Sequence, residues 1–170
     1  MVAWLSRPRS RSSASSLLVI ALLSALAFAP PAAPQAREDY CVVVSPDVSI
    51  TDMTMEELRR IFQFEQRFWR GGGRITVLFS ETSLESGSFV LDTLYGSDYP
   101  GLKLLILEKL YRGEMELAPK VVASDGSVLD FVESGHGLIA IVTRDSVGDN
   151  GVKVLTVDGQ RPGSEGYPLR

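Results

Sequence analysis

The chain has one cysteine and one histidine in 170 residues. A single cysteine excludes an intrachain disulfide framework, and one histidine leaves little from which to build a zinc site. No Walker-type loop and no G-x-G-x-x-G fingerprint occurs, so no motif marks a nucleotide site. No apolar run reaches the roughly 20 residues that cross a hydrocarbon core. Basic charge is not in excess either. Lys and Arg number 17 against 21 Asp and Glu, for a net charge of −4, so no nucleic-acid partner is expected. What is present is apolar: 45% hydrophobic and 22% charged residues, with a mean hydropathy of +0.10. That excludes a disordered or collagen-like chain. The length suits one domain of ordinary size with a leader.

The leader is expected over residues 1–36. Arg7, Arg9 and Arg11 precede the apolar run Leu17–Ala29, and a Pro/Ala stretch, Pro30–Gln35, follows it. A basic start, a short apolar run and small residues afterwards read as a secretory signal peptide with a linker. Ala27-Phe28-Ala29 and Ala36 are the two candidate cleavage points. A cut after Ala36 removes three arginines and no acid, which leaves 14 basic against 21 acidic residues, net −7. The domain 37–170 would then be periplasmic or secreted and distinctly acidic, so any anion site must work through local donors. Cys41 opens the run Cys41-Val42-Val43-Val44 and is expected to be buried.

Strands and helices alternate along 37–170. Cys41–Val44 reads as a buried strand. Thr54-Met55-Glu56-Glu57 is a capping box opening a helix over about 55–64 with Leu58, Ile61 and Phe62 inward. Gly71-Gly72-Gly73 forces a loop before a strand at Ile75–Phe79. Glu81–Ser88 reads as polar and turn-like, and Phe89, Val90 and Leu94 as a short helix over 88–95. Leu102, Leu105, Ile106 and Leu110 mark an amphipathic helix closed near Gly113. Lys120–Ala123 is a short strand, and Ser124 or Asp125 caps a helix with Val128, Leu129 and Val132. Leu138–Val142 and Val152–Val157 are strands, and the Pro/Gly-bearing tail from Gln160 is expected to lie loosely on the surface. The pattern implies an α/β domain with a mainly parallel sheet flanked by helices.

No catalytic constellation assembles. His136, in Ser134-Gly135-His136-Gly137, has no nucleophile or orienting acid beside it in sequence, and reads as a solvated loop residue. The glycine triplet precedes a strand, so no helix N-terminus points at it. Glu56/Glu57 and Glu114/Glu116 read as solvated acids. The segment Ser80–Ser88 carries more. It follows a strand and opens a helix, where backbone N–H groups and hydroxyls can hold an oxyanion without a cation. The candidate ligand-binding residues are Thr82, Ser83, Ser86, Gly87 and Ser88; the same residues also read as helix caps and a polar loop.

The order of these elements resembles the phosphate ABC-transporter substrate-binding family. Val42–Val44 is followed by Leu58-Arg59-Arg60-Ile61-Phe62 as "L-x-x-I-F", then Trp69-Arg70-Gly71-Gly72 as "W-x-x-G", then the strand Ile75-Thr76-Val77. Later, Gly113 stands where the family has "F-x-G". Gly137–Val142 is similar to "G-x-I-G-Y-V", and Val152–Gly159 to "V-K-x-L-x-I-D-G". The resemblance implies a single lobe of a type II periplasmic-binding-protein-like fold, with phosphate or another small oxyanion as ligand. It also implies an ABC transporter permease or another protein partner, no cofactor and no enzymatic activity. In short members the loop reads Ser-Pro-x-Arg with a Phe beyond it; here Ser83 and Phe89 match, Leu84 replaces Pro, and Ser86 takes the place of Arg. Beside this reading stands a second, a protein-interaction or assembly module with a degenerate ligand site, including a homodimer.

Overall fold

The computed structural model describes residues 39–86, 88–116 and 118–170, apart from the side chains of Ser86 and Ser88. The expected leader, linker and cleavage points lie outside the described residues.

Five strands form the main sheet. They are β1 (Tyr40–Val44), β3 (Thr76–Ser80), β4 (Lys120–Val122), β5 (Leu138–Thr143) and β6 (Lys153–Val154), in the order β4-β3-β5-β1-β6. β3 runs parallel to β4 and to β5, with Leu78 opposite Ala140. β1 runs antiparallel to β5, Val42 opposite Ile141, and β6 antiparallel to β1. A separate parallel pair joins β2 (Asp52–Met53) to β7 (Thr156–Val157). Most of the five pairings are therefore parallel, and the strands β3, β4 and β5 carry the α/β character. The apolar run Val152–Val157, expected as one strand, is divided. Buried Leu155 donates its amide to Val42 at 2.9 Å, between β6 on one sheet and β7 on the other.

Both faces of the main sheet are covered, which explains why its strands are continuous apolar runs rather than alternating ones. Tyr40, Val42, Val44, Val77, Phe79, Ile139 and Ile141 face a large core filled from the helices by Leu58, Ile61 and Phe62 of α1 (Met55–Phe62) and Leu102 of α4 (Tyr99–Tyr111). Cys41, Val43, Leu78, Ala140 and Val142 face the other way, onto Val128, Leu129 and Val132 of α5 (Asp125–Ser134). This alternation along β1 and β5 is the two-residue period of a strand.

Local chemistry sets the helix ends. At α1 the Thr54 hydroxyl accepts from the Glu57 amide at 3.2 Å while the Glu57 carboxylate accepts from the Thr54 amide at 3.2 Å. Glu57 is not the solvated acid expected from sequence: its carboxylate also pairs with Arg70 and is largely covered. The helix stops at Phe62, and Phe64 takes a positive φ of 62°. At the start of β5, Gly137 has φ +65°, and a Cβ there would lie 2.4 Å from the Arg74 carbonyl oxygen. Only glycine fits that approach. Its own carbonyl accepts from the buried Trp69 indole at 3.2 Å.

Three further expectations are corrected. Glu81–Ser86 is a helix, α2, not a turn; buried Leu84 anchors it and the Ser80 hydroxyl accepts the Ser83 amide at 3.2 Å. In α3 (Ser88–Tyr95) Leu91 and Leu94 are buried and Phe89 is exposed. The tail is packed, not loose. Tyr167 and Leu169 are buried in the large core, and the Leu169 carbonyl accepts the Tyr40 amide at 3.0 Å. Proline and glycine permit turns, but the two apolar side chains between them decide where this segment goes.

Candidate functional site

The three parallel strands end together. Ser80 is the last residue of β3, Thr143 the last of β5, and β4 leads through Ala123 into α5. The carboxyl edge of parallel strands is where α/β folds place ligand sites, because chain reversals leave a crevice there. Ser124 is the N-cap of α5, its hydroxyl accepting the Ser127 amide at 3.3 Å. That leaves Asp125, the first helical residue, free to turn its carboxylate inward.

Asp125 is the centre of the arrangement. It is buried, and Oδ1 accepts the Ser83 hydroxyl at 2.6 Å. Oδ2 accepts the Thr143 amide at 2.8 Å and the Thr143 hydroxyl at 2.9 Å, with the Ser146 hydroxyl at 3.5 Å. Burial by itself would raise the carboxyl pKa. The hydroxyls of Ser80 and Ser83 and the amide and hydroxyl of Thr143 outweigh it and hold the pKa below its ordinary 3.8. The group is thus an ionised carboxylate sheltered by donors, and a weak base.

Of the candidate ligand residues, Ser83 therefore sits on the interior side of this network, and the Thr82 hydroxyl donates to the Ala123 carbonyl at 3.1 Å. Gly87 and the side chains of Ser86 and Ser88 lie outside the described residues. Sequence reasoning missed Asp125, Thr143 and Ser146. The signal available was the Ser124-Asp125 pair, either of which can cap a helix; which one turned inward depended on hydroxyls 42 and 18 positions away.

At the opposite, amino ends of β3 and β5 a cleft of about 320 Å³ is lined by Asp47, Ser49, Trp69, Gly71–Gly73, Arg74 and His136. His136 is 88% exposed, its Nδ1 3.5 Å from Asp47 Oδ2. Asp47 also accepts the Gly137 amide at 3.2 Å. The histidine is a solvated loop residue with an acidic neighbour. Among the described residues no group of three or more His, Cys, Asp or Glu is placed to hold a metal ion, and no helix is long and apolar enough to cross a membrane.

No family model and no curated protein sequence matches the chain. Solved structures do. An ABC-type phosphate transport receptor from Vibrio cholerae matches at a TM-score of 0.58 and 20% identity, over 78% of this chain and 53% of that one. PstS from Borrelia burgdorferi matches at 0.56 and 18%, over 78% and 54%. A structure described as a phosphate ABC transporter substrate-binding protein with bound phosphate, from Clostridium perfringens, matches at 0.54 and 16%, over 73% and 46%. The chain spans about half the length of these structures. Identity this low speaks for the backbone and not for the site. What the chain shares with these structures is the fold, an α/β domain with a mainly parallel sheet flanked by helices.

Proposed function

We propose that this chain is an exported, non-catalytic lobe of the solute-binding class that holds a small oxyanion, phosphate or sulfate, at the α2–α3 junction and works beside an ABC transporter. The observation that supports this reading is that the ends of the parallel strands β3 and β5 meet the starts of helices α2 and α5 through the hydroxyls of Ser80, Ser83 and Thr143, in a fold shared with three phosphate-transport proteins. The donors in this reading are Thr82, Ser83, Ser86, Gly87 and Ser88, with the backbone N–H groups at the start of α3 supplying about half a positive charge. Ser83 already donates to Asp125, so the backbone carries more of the binding than the hydroxyls do. With one lobe the anion stays wet on one side, and affinity sits at the millimolar end, about −4 kcal/mol.

Calorimetric titration with phosphate and with sulfate at fixed salt tests this. Binding at millimolar concentration is expected. Ser86→Arg, which restores the guanidinium typical of the resembling family, is expected to tighten phosphate binding by about 1.5–3 kcal/mol. Heat from neither anion in either protein would defeat the oxyanion reading.

The second reading, a protein-interaction module with a degenerate site, is favoured by Asp125 itself. The carboxylate takes up the donors of Ser80, Ser83 and Thr143, so these hydroxyls are already satisfied and the buried charge repels a second negative one.

A further inference from the structure

Strand β4 joins β3 only from Leu78, which lies opposite Lys120. The residue before it, Pro119, has no N–H with which to carry the ladder further back. The first part of β3 is left without a strand on that side, and a cleft of about 280 Å³ opens at the amino ends of β3 and β4. Its walls are mostly apolar: Ile61, Phe64, Ile75, Val77, Met115 and Pro119. Ile61, Ile75 and Val77 are buried members of the large core, so the cleft reaches the edge of that core.

Charge beside the cleft selects what can enter it. Arg67, Arg74 and Lys120 line it, and among the described residues lining it there is no Asp or Glu, in a chain with more acids than bases. The Lys120 ammonium is drawn aside, 3.5 Å from the centroid of the Phe131 ring. The two arginines remain. The antiparallel bridge of Phe68 to Arg74 and the bond from the Ile75 amide to the Arg67 carbonyl hold their backbones close together. Arg74 Nη1 donates to the Glu116 carboxylate at 3.1 Å, with both side chains more than half exposed; an exposed pair of this kind is weak. Arg67 Nη1 donates to the Glu114 carbonyl at 3.2 Å. A carbonyl carries no net charge, and the Glu114 carboxylate pairs with Lys109 and Arg112 instead.

Two guanidiniums thus have one carboxylate between them, and a positive charge is left over beside an apolar cleft. A cation is repelled there. A neutral apolar molecule leaves the charge unanswered, and a small inorganic anion leaves the apolar walls wet. We propose that this cleft binds a monoanion with an apolar body, a medium-chain aliphatic carboxylate, with its carboxylate on Arg67 and Arg74 and its chain along Val77 and Met115. A guanidinium is a fork of several N–H donors, which leaves both arginines free to accept a second oxygen partner. The oxyanion reading concerns the other end of β3, so phosphate calorimetry and the experiment below fail independently.

The test is amide-resolved NMR titration of the full chain with octanoate, octanol, octylammonium and acetate. Octanoate at millimolar concentration is expected to shift the amides of Ile75, Val77 and Met115. Octanol is expected to bind about ten-fold more weakly, as befits the loss of a charge-assisted hydrogen bond, and octylammonium and acetate to leave these amides unmoved. Arg67→Gln is expected to weaken octanoate about ten-fold and to leave octanol unchanged, while Arg67→Lys keeps most of the affinity. Lys103→Gln, on α4 and outside the cleft, is expected to change neither. Thermal melts confirm that each variant folds, and the comparison of probes on the wild type decides by itself if one does not. Octanoate that moves none of the three amides overturns the proposal. So does octanol or octylammonium that binds as tightly as octanoate, or a folded Arg67→Gln that binds octanoate as the wild type does.

Discussion

Asp125 makes the carboxyl edge of the sheet sensitive to acid. Its folded pKa lies below the ordinary 3.8, so its ionised form stabilises the fold at all pH values above that figure, and the contribution fades as pH falls below it. Asp125→Asn keeps the shape and loses the charge-assisted bonds. It is expected to cost about 1.5–3 kcal/mol at pH 7. Urea melts at pH 7 and pH 3 check the sign: the gap between wild type and variant narrows in acid. Cys41 lies on the same side of the sheet, its thiol 3.7 Å from the Val142 carbonyl oxygen. Burial pushes its pKa up to about 12, with the Asp125 charge adding and the Arg144 charge opposing. A neutral, covered thiol is a poor nucleophile. Labelling of the native protein by a disulfide reagent at pH 8 is therefore expected to be negligible on the timescale over which the urea-unfolded chain labels completely.

Helix α1 is held by its cap at one end and by Phe62 at the other. Phe62 is buried and meets Phe79 edge to face, with ring centroids 6.0 Å apart. Phe62→Ala is expected to lower stability by about 3–5 kcal/mol, the usual cost of emptying a buried aromatic site. The C-terminal segment is a comparable element, although it has no regular structure. Leu169→Ala is expected to cost about 2–5 kcal/mol because the side chain is fully buried. Denaturant midpoints measure both. A loss below 0.5 kcal/mol at Leu169, about what a surface substitution costs, would mean that the tail lies on the surface after all. The capping box was readable because Thr54 and Glu57 serve each other within one turn. The second apolar side of α4, where Leu104 and Leu107 are exposed, was not, because its leucines carry no mark of which ones meet the core.

At the scale of the whole molecule, export and processing follow from the proposed function. N-terminal sequencing of protein recovered outside the cytoplasm is expected to begin between Pro30 and Arg37. An intact Met1 in membrane-embedded protein would contradict this. A chain that spans half the length of its structural neighbours still closes a core on both faces of its sheet, as about 130 residues are enough to do.

The sequence by itself determined what is decided within a few residues: the cap at Thr54, the glycine stop of α5, the buried runs at Cys41–Val44 and Ile139–Val142, and with them the α/β class. These depend on backbone hydrogen bonding and side-chain periodicity, which act over a turn of helix or a pair of strand residues. Only the tertiary structure decided that β1 runs antiparallel to β5, since an apolar run buried on both sides has no preferred direction. It decided that Val152–Val157 splits between two sheets, and that Tyr167 and Leu169 fold back onto the core. It also turned Asp125 inward, away from the capping role that Ser124 took. A buried carboxylate goes where enough donors gather to offset its desolvation, and those donors come from strand ends and a helix far apart in the chain.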